Sequence, residues 1–306
     1  MAVAISATVV VLHLVEFAVT SQAARNLIDA LHAPGFGLVA VGAMLLFRQR
    51  SDPGAAYIAA IITTFLLGVA AEALQIFSPR NADLQDLGWN ALGIAGCLAI
   101  AACFDQRVRS RLTRPRFAVL LIIGTIALAI ALKPAVQNVF VLSARAMTLP
   151  VLVSFDHRWE AGLYQPLEST QLSTIAPPDE WPVRNRRVMA MDLSAISYSG
   201  IVIDPYPDWT GYDSISFLAA STDGKEHKIT IRIHDVEHNH QYDDRFSKAL
   251  RIGPKATRYE IPLIEVHDSV KNRRFDLSKI ARIIVYKADA TGDERILIDD
   301  FRLEND

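Results

Sequence analysis

The sequence contains few cysteines. Only two of its 306 residues are cysteine, Cys97 and Cys103, and both lie in one apolar run. Two thiols six positions apart on one helical segment are poorly placed to bridge each other, so we expect no disulfide between them. The cysteine content therefore does not indicate whether the chain works in an oxidising compartment.

Catalytic and cofactor motifs are also missing. The chain has no nucleophile-elbow pattern, no glycine-rich phosphate loop and no spacing typical of a zinc site. It contains neither an internal repeat nor a low-complexity segment. We therefore assign no catalytic residue, no cofactor and no metal ligand from the sequence.

Charge divides the chain into two parts. Residues 1–133 hold 10 Lys and Arg and 7 Asp and Glu, whereas residues 134–306 hold 21 and 26. The second part has the charge density of a soluble domain and is long enough for its own core. Its net charge of -5 (21 minus 26) gives no support to a nucleic-acid partner.

The first part is dominated by apolar runs. A membrane-spanning helix needs about 20 predominantly apolar residues. Five runs approach this length, the second by recruiting residues from Leu27 onward, and they predict a polytopic α-helical membrane domain. The predicted spans are 2–20, 34–47, 55–77, 87–104 and 117–132. The first run has no basic segment before it and no small-residue cleavage site, so we interpret it as a retained helix rather than a signal peptide.

Arginines between the runs predict the orientation of the spans. Arg48 and Arg50 lie between the second and third spans, and five arginines follow the fourth span in the segment 105–116. Cytoplasmic loops are enriched in Lys and Arg. We therefore predict a multi-pass protein of the plasma (inner) membrane with a cytoplasmic N-terminus, and with residues after 132 outside the cytoplasm.

Polar residues interrupt the apolar pattern between the third and fourth spans. The pattern E-x-x-Q is followed by R-x-x-D-x-x-D-x-x-x-N-x-x-G, and an Asp and a His precede both. These residues are Glu72, Gln75, Arg80, Asp83, Asp86, Asn90 and Gly93, with Asp29 and His32 upstream. This combination resembles the signature of the VanZ-like membrane family, although the family's usual D-K-x-x-H is altered here. The resemblance covers residues 1–133 and implies no established molecular activity.

The polar crossing has two physical interpretations. A carboxylate within a membrane costs several kcal/mol, so it is rarely found there without a partner or a function. His32, Glu72, Gln75, Arg80, Asp83, Asp86 and Asn90 are therefore candidates to line an outward-facing pocket for a lipid headgroup or a lipid-linked glycan. The alternative is a buried network in which Arg80 neutralises the carboxylates and fixes the helix hairpin.

After residue 155 the apolar runs become short and alternating. The segment 227–234 places Ile229, Ile231 and Ile233 on one face and Lys228, Thr230 and Arg232 on the other. This period is typical of half-buried antiparallel strands. Several such segments predict an all-β jelly-roll sandwich over 155–306, with 134–154 as an interfacial linker.

The same segments resemble the galactose-binding-like sandwiches that serve as carbohydrate-binding modules. The resemblance covers 155–306 and rests on the loop after residue 231 together with the later strand patterns. Sugar binding needs an aromatic face and planar hydrogen-bonding groups. The candidate residues are Trp209, Asp235, Asn239, Tyr242 and Arg245. Core packing of Trp209 and an ion pair of Arg245 with Asp243 or Asp244 are the structural alternatives.

Three functions remain open at this point. The first is membrane-anchored recognition of an envelope or exported polysaccharide or glycolipid. The second is a membrane enzyme that modifies a lipid-linked glycan, with its carboxylates in the polar crossing. The third is an envelope assembly protein whose sandwich binds a protein partner. Membrane lipids and carbohydrate are the expected partners of the first two.

Overall fold

The computed structural model describes residues 27, 29–75, 84–183, 186–289 and 292–305, with the side chains of residues 74, 75 and 84 left aside. The chain forms two compact units, and the boundary between them lies between Val139 and Phe140. The first unit is helical. The second contains the end of the last long helix and all of the strands.

Apolar helices make up the first unit. They are α1 (His32–Phe47), α2 (Pro53–Gln75), α3 (Leu84–Phe104), the short α4 (Gln106–Arg109) and α5 (Arg114–Thr148). Three of them, α2, α3 and α5, are long and apolar enough to cross a membrane, so the described region is helical with three candidate spans. Five spans are not supported. The predicted second span is the 16-residue helix α1, and the predicted first span, 2–20, lies outside the described residues.

The long helices carry exposed apolar surface. Large apolar side chains of α2 and α5 are exposed, among them Ile58, Leu66, Ile122 and Ile126. Apolar surface of this extent is unusual on a soluble protein and marks contact with a membrane or a partner.

Glycines bring α1 and α3 into close contact. A Cβ atom built on Gly93 would lie 1.9 Å from the carbonyl oxygen of Ala33, and one on Gly37 would lie 2.6 Å from the carbonyl oxygen of Gly93. Only residues without a side chain allow this approach. Small residues at such contacts are typical of helix packing in membranes.

Helix α5 corrects one detail of the sequence prediction. The predicted fifth span ends at residue 132, whereas the helix continues through Pro134 to Thr148. A proline removes one backbone hydrogen bond. Membrane helices tolerate proline where neighbouring groups satisfy the freed backbone. Much of the predicted linker 134–154 is therefore helical.

The second unit is an antiparallel β-sandwich, as the alternating pattern predicts. One sheet has the strand order β3-β4-β11-β6-β9, with β1 also paired to β11, and the other has the order β2-β5-β10-β7-β8. The strands are β1 (Val151–Val153), β2 (Tyr164–Leu167), β3 (Gln171–Ile175), β4 (Val188–Leu193), β5 (Ser199–Ile203), β6 (Ser214–Ser221), β7 (His227–Asp235), β8 (Phe246–Ile252), β9 (Thr257–Pro262), β10 (Ile280–Lys287) and β11 (Glu294–Glu304). A short helix, α6 (Leu263–His267), follows β9.

The core lies between the two sheets. Ile229, Ile231 and Ile233 of β7 are buried there, as their alternation predicts, and they pack with the inward residues of the opposite sheet. The outer face of the β4-β11-β6 region is covered as well. There Trp181 packs on Leu218 and Leu297, and its indole N–H donates to Asp299 over 2.8 Å.

Candidate functional site

The outer face of the β5-β10-β7-β8 sheet collects polar and aromatic side chains. Strand pairing places Arg232 of β7 between Ile284 of β10 and Ser247 of β8. One step along, His234 lies opposite Arg282. Strands β7, β8 and β10 and residues just outside the strands therefore contribute to one continuous surface, which we call the basic face. Its members are Tyr198, Arg232, His234, Tyr242, Arg245, Ser247, Arg282 and Tyr286.

Two tyrosines form a stacked pair on this face. The ring centroids of Tyr198 and Tyr286 are 5.5 Å apart, with an interplanar angle of 28°. Tyr286 is largely buried, whereas Tyr198 is 58% exposed. Tyr198 has a φ of 66°, a left-handed conformation that is costly for an aromatic residue. Strained backbone of this kind concentrates at functional sites, and here it places an exposed ring over a buried one.

The absence of a side chain at Gly200 leaves room for Tyr286. Gly200 of β5 lies opposite Tyr286 in the sheet, and a Cβ atom built on it would lie 2.8 Å from the Tyr286 Cβ. A side chain at residue 200 would therefore displace the Tyr286 ring. Burial raises the pKa of the Tyr286 hydroxyl, and the nearby cation of Arg245 opposes this effect. The Tyr286 hydroxyl therefore stays a neutral hydrogen-bonding group at physiological pH.

Three arginines lie on the basic face. Arg232 Nη2 is 2.8 Å from His238 Nε2, and the Arg245 guanidinium lies 5.0 Å from the centre of the Tyr242 ring. Arg282 is half-buried on β10. None of the three forms an ion pair with a carboxylate among the residues that the structure describes. The positive charge of this face is therefore not neutralised from within.

Several buried polar atoms on this face have no hydrogen-bond partner in the described structure. They are Arg232 Nε, His234 Nδ1, Arg245 Nε and Ser247 Oγ. A buried polar atom left unpaired costs about 1 to 3 kcal/mol. Four such atoms on one surface mark this face as the candidate site of the sandwich.

Electrostatics keep the histidine of this face neutral. Burial, together with the cations of Arg232 and Arg282, lowers the pKa of His234 to about 3. Burial also lowers the pKa of Arg232, and the neighbouring Arg245 adds to this effect. His234 therefore offers a neutral ring nitrogen at physiological pH, while the arginines provide the charge.

The candidate residues predicted from the sequence differ in their burial in the sandwich. Trp209 is wholly buried and its indole N–H donates to the Tyr206 carbonyl over 2.7 Å. It is a core residue, which corrects the prediction that it faces a sugar. Asp235 is also buried. Its carboxylate accepts hydrogen bonds from Arg273 Nη2 over 2.7 Å and from the Asp276 backbone N–H over 2.9 Å.

The other loop candidates lie nearer the surface. Asn239 is exposed and its backbone N–H donates to Asp244 over 2.7 Å. Tyr242 is 73% exposed and lies beneath Arg245 at the edge of the basic face. Asp244 pairs with Arg273 instead of with Arg245, so the alternative of an Arg245–Asp244 ion pair is not what the structure shows. Sugar contacts of Asn239, Tyr242 and Arg245 remain predictions.

Sequence reasoning missed the residues at the centre of this face. Tyr198, His234, Arg282 and Tyr286 were not selected. The signal was present in the alternation of β7 and β10, where the outward positions are Arg232, His234, Arg282 and Tyr286. What the alternation could not supply was the strand order, which makes β10, β7 and β8 neighbours.

A cavity lies in the helical unit. It has a volume of about 400 Å³, and its lining includes Asp29, His32, Asp86, Trp89 and Asn90. The structure therefore brings together three of the predicted pocket residues, His32, Asp86 and Asn90. Glu72 is buried on α2, whereas Arg80, Asp83 and the side chain of Gln75 lie outside the description.

Asn90 is the most informative residue of this cavity. It is 2% exposed, and neither atom of its amide has a hydrogen-bond partner in the described structure. A Cβ atom built on Gly68 of α2 would lie 3.8 Å from its Nδ2. The amide is thus held between helices, at the wall of a cavity large enough for a small polar group.

Comparisons with known proteins give a weak likeness for the sandwich. A family 11 carbohydrate-binding module from Clostridium thermocellum, solved with a β-1,3-1,4-mixed-linked tetrasaccharide, is 18% identical, with a TM-score of 0.40 over 51% of this chain and 94% of that chain. An exo-β-agarase is 17% identical, with a TM-score of 0.41 over 51% of this chain and 25% of that chain. A CBM22-1–GH10 portion of Clostridium thermocellum xylanase 10B, solved with xylohexaose, is 11% identical, with a TM-score of 0.36 over 51% and 28%.

These likenesses assign neither a family nor a function to the chain, because one sandwich architecture serves many functions. No protein-family model matches the chain, and no curated protein matches it. The resemblance of residues 1–133 to the VanZ-like family therefore stays a prediction.

Proposed function

We propose that the protein is a membrane-anchored receptor that binds polysaccharide on the basic face of its sandwich. The observation that supports this most is the combination of an exposed, stacked tyrosine with unpaired hydrogen-bonding atoms on one outer sheet face. A sugar ring has an apolar side that packs on an aromatic ring and hydroxyls that pair with planar polar groups. The basic face offers both.

The two outer faces of the sandwich differ in a way that favours this choice. On the other sheet, Trp181 and its neighbours cover the strands and satisfy Asp299. On the basic face, Tyr198 and Tyr242 remain exposed. An extended polymer could lie across β10, β7 and β8 without any rearrangement of the core.

The helical unit supports membrane anchoring with the sandwich outside the cytoplasm. Its two arginine-rich connections lie at one end, because Arg48 pairs with Asp105 at 3.6 Å and Arg111 with Asp52 at 3.5 Å. Positive charge at one end of a helical bundle is typical of its cytoplasmic side. A periplasm-dependent reporter fused after Asp306 should be active, and one fused after Arg111 should be inactive.

We assign the cavity of the helical unit to a headgroup or lipid-linked sugar of the same glycan system. Its carboxylates, Asp29 and Asp86, and His32 are the residue types that move protons in glycan chemistry. These residues also favour the second candidate function, a membrane enzyme that modifies a lipid-linked glycan. Loss of cellular function in Asp86→Asn, with normal expression and an unchanged melting temperature, would support the enzyme.

A polysaccharide panel tests the proposed function. The full chain in detergent should be retained by at least one immobilised polysaccharide, and Tyr198→Ala should lose most of that retention. Tyr198→Phe keeps the ring and should retain binding, which separates stacking from the hydroxyl. Retention by no polysaccharide, or equal retention of Tyr198→Ala and the unchanged protein, would refute the proposal.

A further inference from the structure

The arginines of the basic face differ from most of the other arginines of the sandwich unit. Six of the ten others that the structure describes pair with carboxylates: Arg145, Arg251, Arg258, Arg273, Arg295 and Arg302. Arg232, Arg245 and Arg282 form no such pair in the described structure. The buried carboxylates of the adjoining loop, Asp235 and Asp244, are both held by Arg273.

This concentration of positive charge opposes the overall charge of the unit. Residues 134–306 carry 21 Lys and Arg against 26 Asp and Glu, a net charge of -5. Acidic residues are therefore abundant, yet the basic face is not neutralised by them. The three cations also repel one another, and a bound anion would relieve this repulsion.

Geometry adds to the charge argument. The Nε atoms of Arg232 and Arg245 are buried and without partners, although guanidinium groups readily pair in a bidentate manner with carboxylates, sulfates and phosphates. Ser247 Oγ and His234 Nδ1 supply further polar positions beside them. These positions suit an oxyanion better than a neutral hydroxyl alone.

We propose that the ligand of the basic face is an acidic polysaccharide whose sugars carry carboxylate or sulfate groups. This inference rests on the proposed function and narrows its ligand class. The arginines pair with the anionic substituents, and the Tyr198–Tyr286 pair packs on the sugar ring. A nucleic acid also combines charge with stacking, and the net charge of -5 opposes either polyanion at long range, so single-stranded DNA is one of the probes below.

The test uses the full chain in nanodiscs of phosphatidylcholine, so that anionic lipids do not compete. The probes are polygalacturonate, the same polymer with its carboxylates reduced to alcohols, dextran sulfate, dextran and single-stranded DNA. Polygalacturonate or dextran sulfate should bind at least tenfold more tightly than its uncharged counterpart. Raising the salt concentration should weaken this binding, because ions screen exposed charges.

Matched variants locate the effect. Arg282→Gln and Arg245→Gln should each weaken binding of the acidic polymer about tenfold, which is about 1.4 kcal/mol, because each removes a charged hydrogen-bond donor. Their affinity for the uncharged polymer should not change. Arg295→Gln, whose arginine pairs with Asp192 on the other sheet, should bind as the unchanged protein does.

The outcomes separate the two proposals. Equal affinity for an acidic polymer and its uncharged counterpart would overturn the acidic-ligand inference and leave the proposed function standing. Binding of DNA alone, or of no polymer, would overturn both. Binding of dextran sulfate without polygalacturonate would support the inference and identify sulfate as the preferred substituent.

Discussion

Arg232 and His238 form a hydrogen bond of 2.8 Å between Nη2 and Nε2. An arginine can only donate, so Nε2 of His238 accepts, and the proton of the ring lies on Nδ1. Nδ1 is 2.7 Å from the carbonyl oxygen of Asp244 and donates to it. A neutral His238 therefore orients Arg232 on the basic face and links it to the loop that follows β7.

Acidification should destabilise the sandwich through its neutral histidines. The pKa of His234 falls from 6.5 to about 3 on folding, mainly because of burial. The unfolded chain therefore binds more protons than the folded chain between these values, so stability is lost as the pH falls through this window. Unfolding by urea at pH 7, 6 and 5 should show a decreasing free energy, by at most about 1.4 kcal/mol per pH unit for each histidine.

A substitution tests the assignment to this residue. His234→Gln should reduce the slope between pH 6.5 and 5. A stability that does not vary with pH in this range would contradict the assignment of a buried neutral His234.

The end of α5 should stabilise the sandwich. Val141 and Leu149 pack on its core, and the buried Arg145 donates to the carbonyl oxygens of Asp204 and Pro205. We expect Arg145→Met in the full chain to destabilise the unit by about 2 to 3 kcal/mol, since hydrogen bonds to a charged group are lost. Met147→Ala, at an 84% exposed position, should change stability by less than about 0.5 kcal/mol. Equal effects of the two substitutions would refute this role of Arg145.

Arg273 should be a structural residue. It pairs with Asp235, which is fully buried, and with Asp244. Arg273→Gln leaves these carboxylates without their cation, and breaking such a pair from one side costs about 3 to 5 kcal/mol. The neighbouring Arg274 is exposed, so Arg274→Gln should cost less than about 0.5 kcal/mol. A stable Arg273→Gln protein that has lost glycan binding would instead restore Asp235 as a ligand-binding candidate.

Asn90 should be retained for function rather than for stability. Asn90→Leu removes a buried amide that has no partner in the described structure, so the melting temperature in detergent should rise. Thr64→Val, which removes another buried polar group without a partner, should raise it as well and serves as the control. Only Asn90→Leu should fail to complement a deletion strain. A lower melting temperature for Asn90→Leu would show that the amide is structural.

Much of the fold was predictable from local patterns. The alternation of 227–234 predicted that Ile229, Ile231 and Ile233 are buried, and the structure confirms it. The apolar runs predicted α2, α3 and α5. Such patterns succeed because burial on one face of a strand, or on all faces of a membrane helix, leaves a regular trace in the sequence.

The basic face was only partly predictable. Arg232, Arg245 and Arg282 come from separate segments that meet through the strand order β10-β7-β8, which no local pattern specifies. Trp209 shows the converse limit. An aromatic residue in a polar loop can face solvent or anchor the loop in the core, and only the structure distinguishes the two.

We propose that polysaccharide binds across the basic face. Hydroxyl-radical footprinting of the full chain, with and without the polysaccharide that retains it best, tests this directly. Tyr198 and Tyr242 are both exposed and should become protected, while the exposed Ile264 on α6 should not change. Protection confined to Ile264 or to other residues away from the basic face, with Tyr198 and Tyr242 unchanged, would contradict the account.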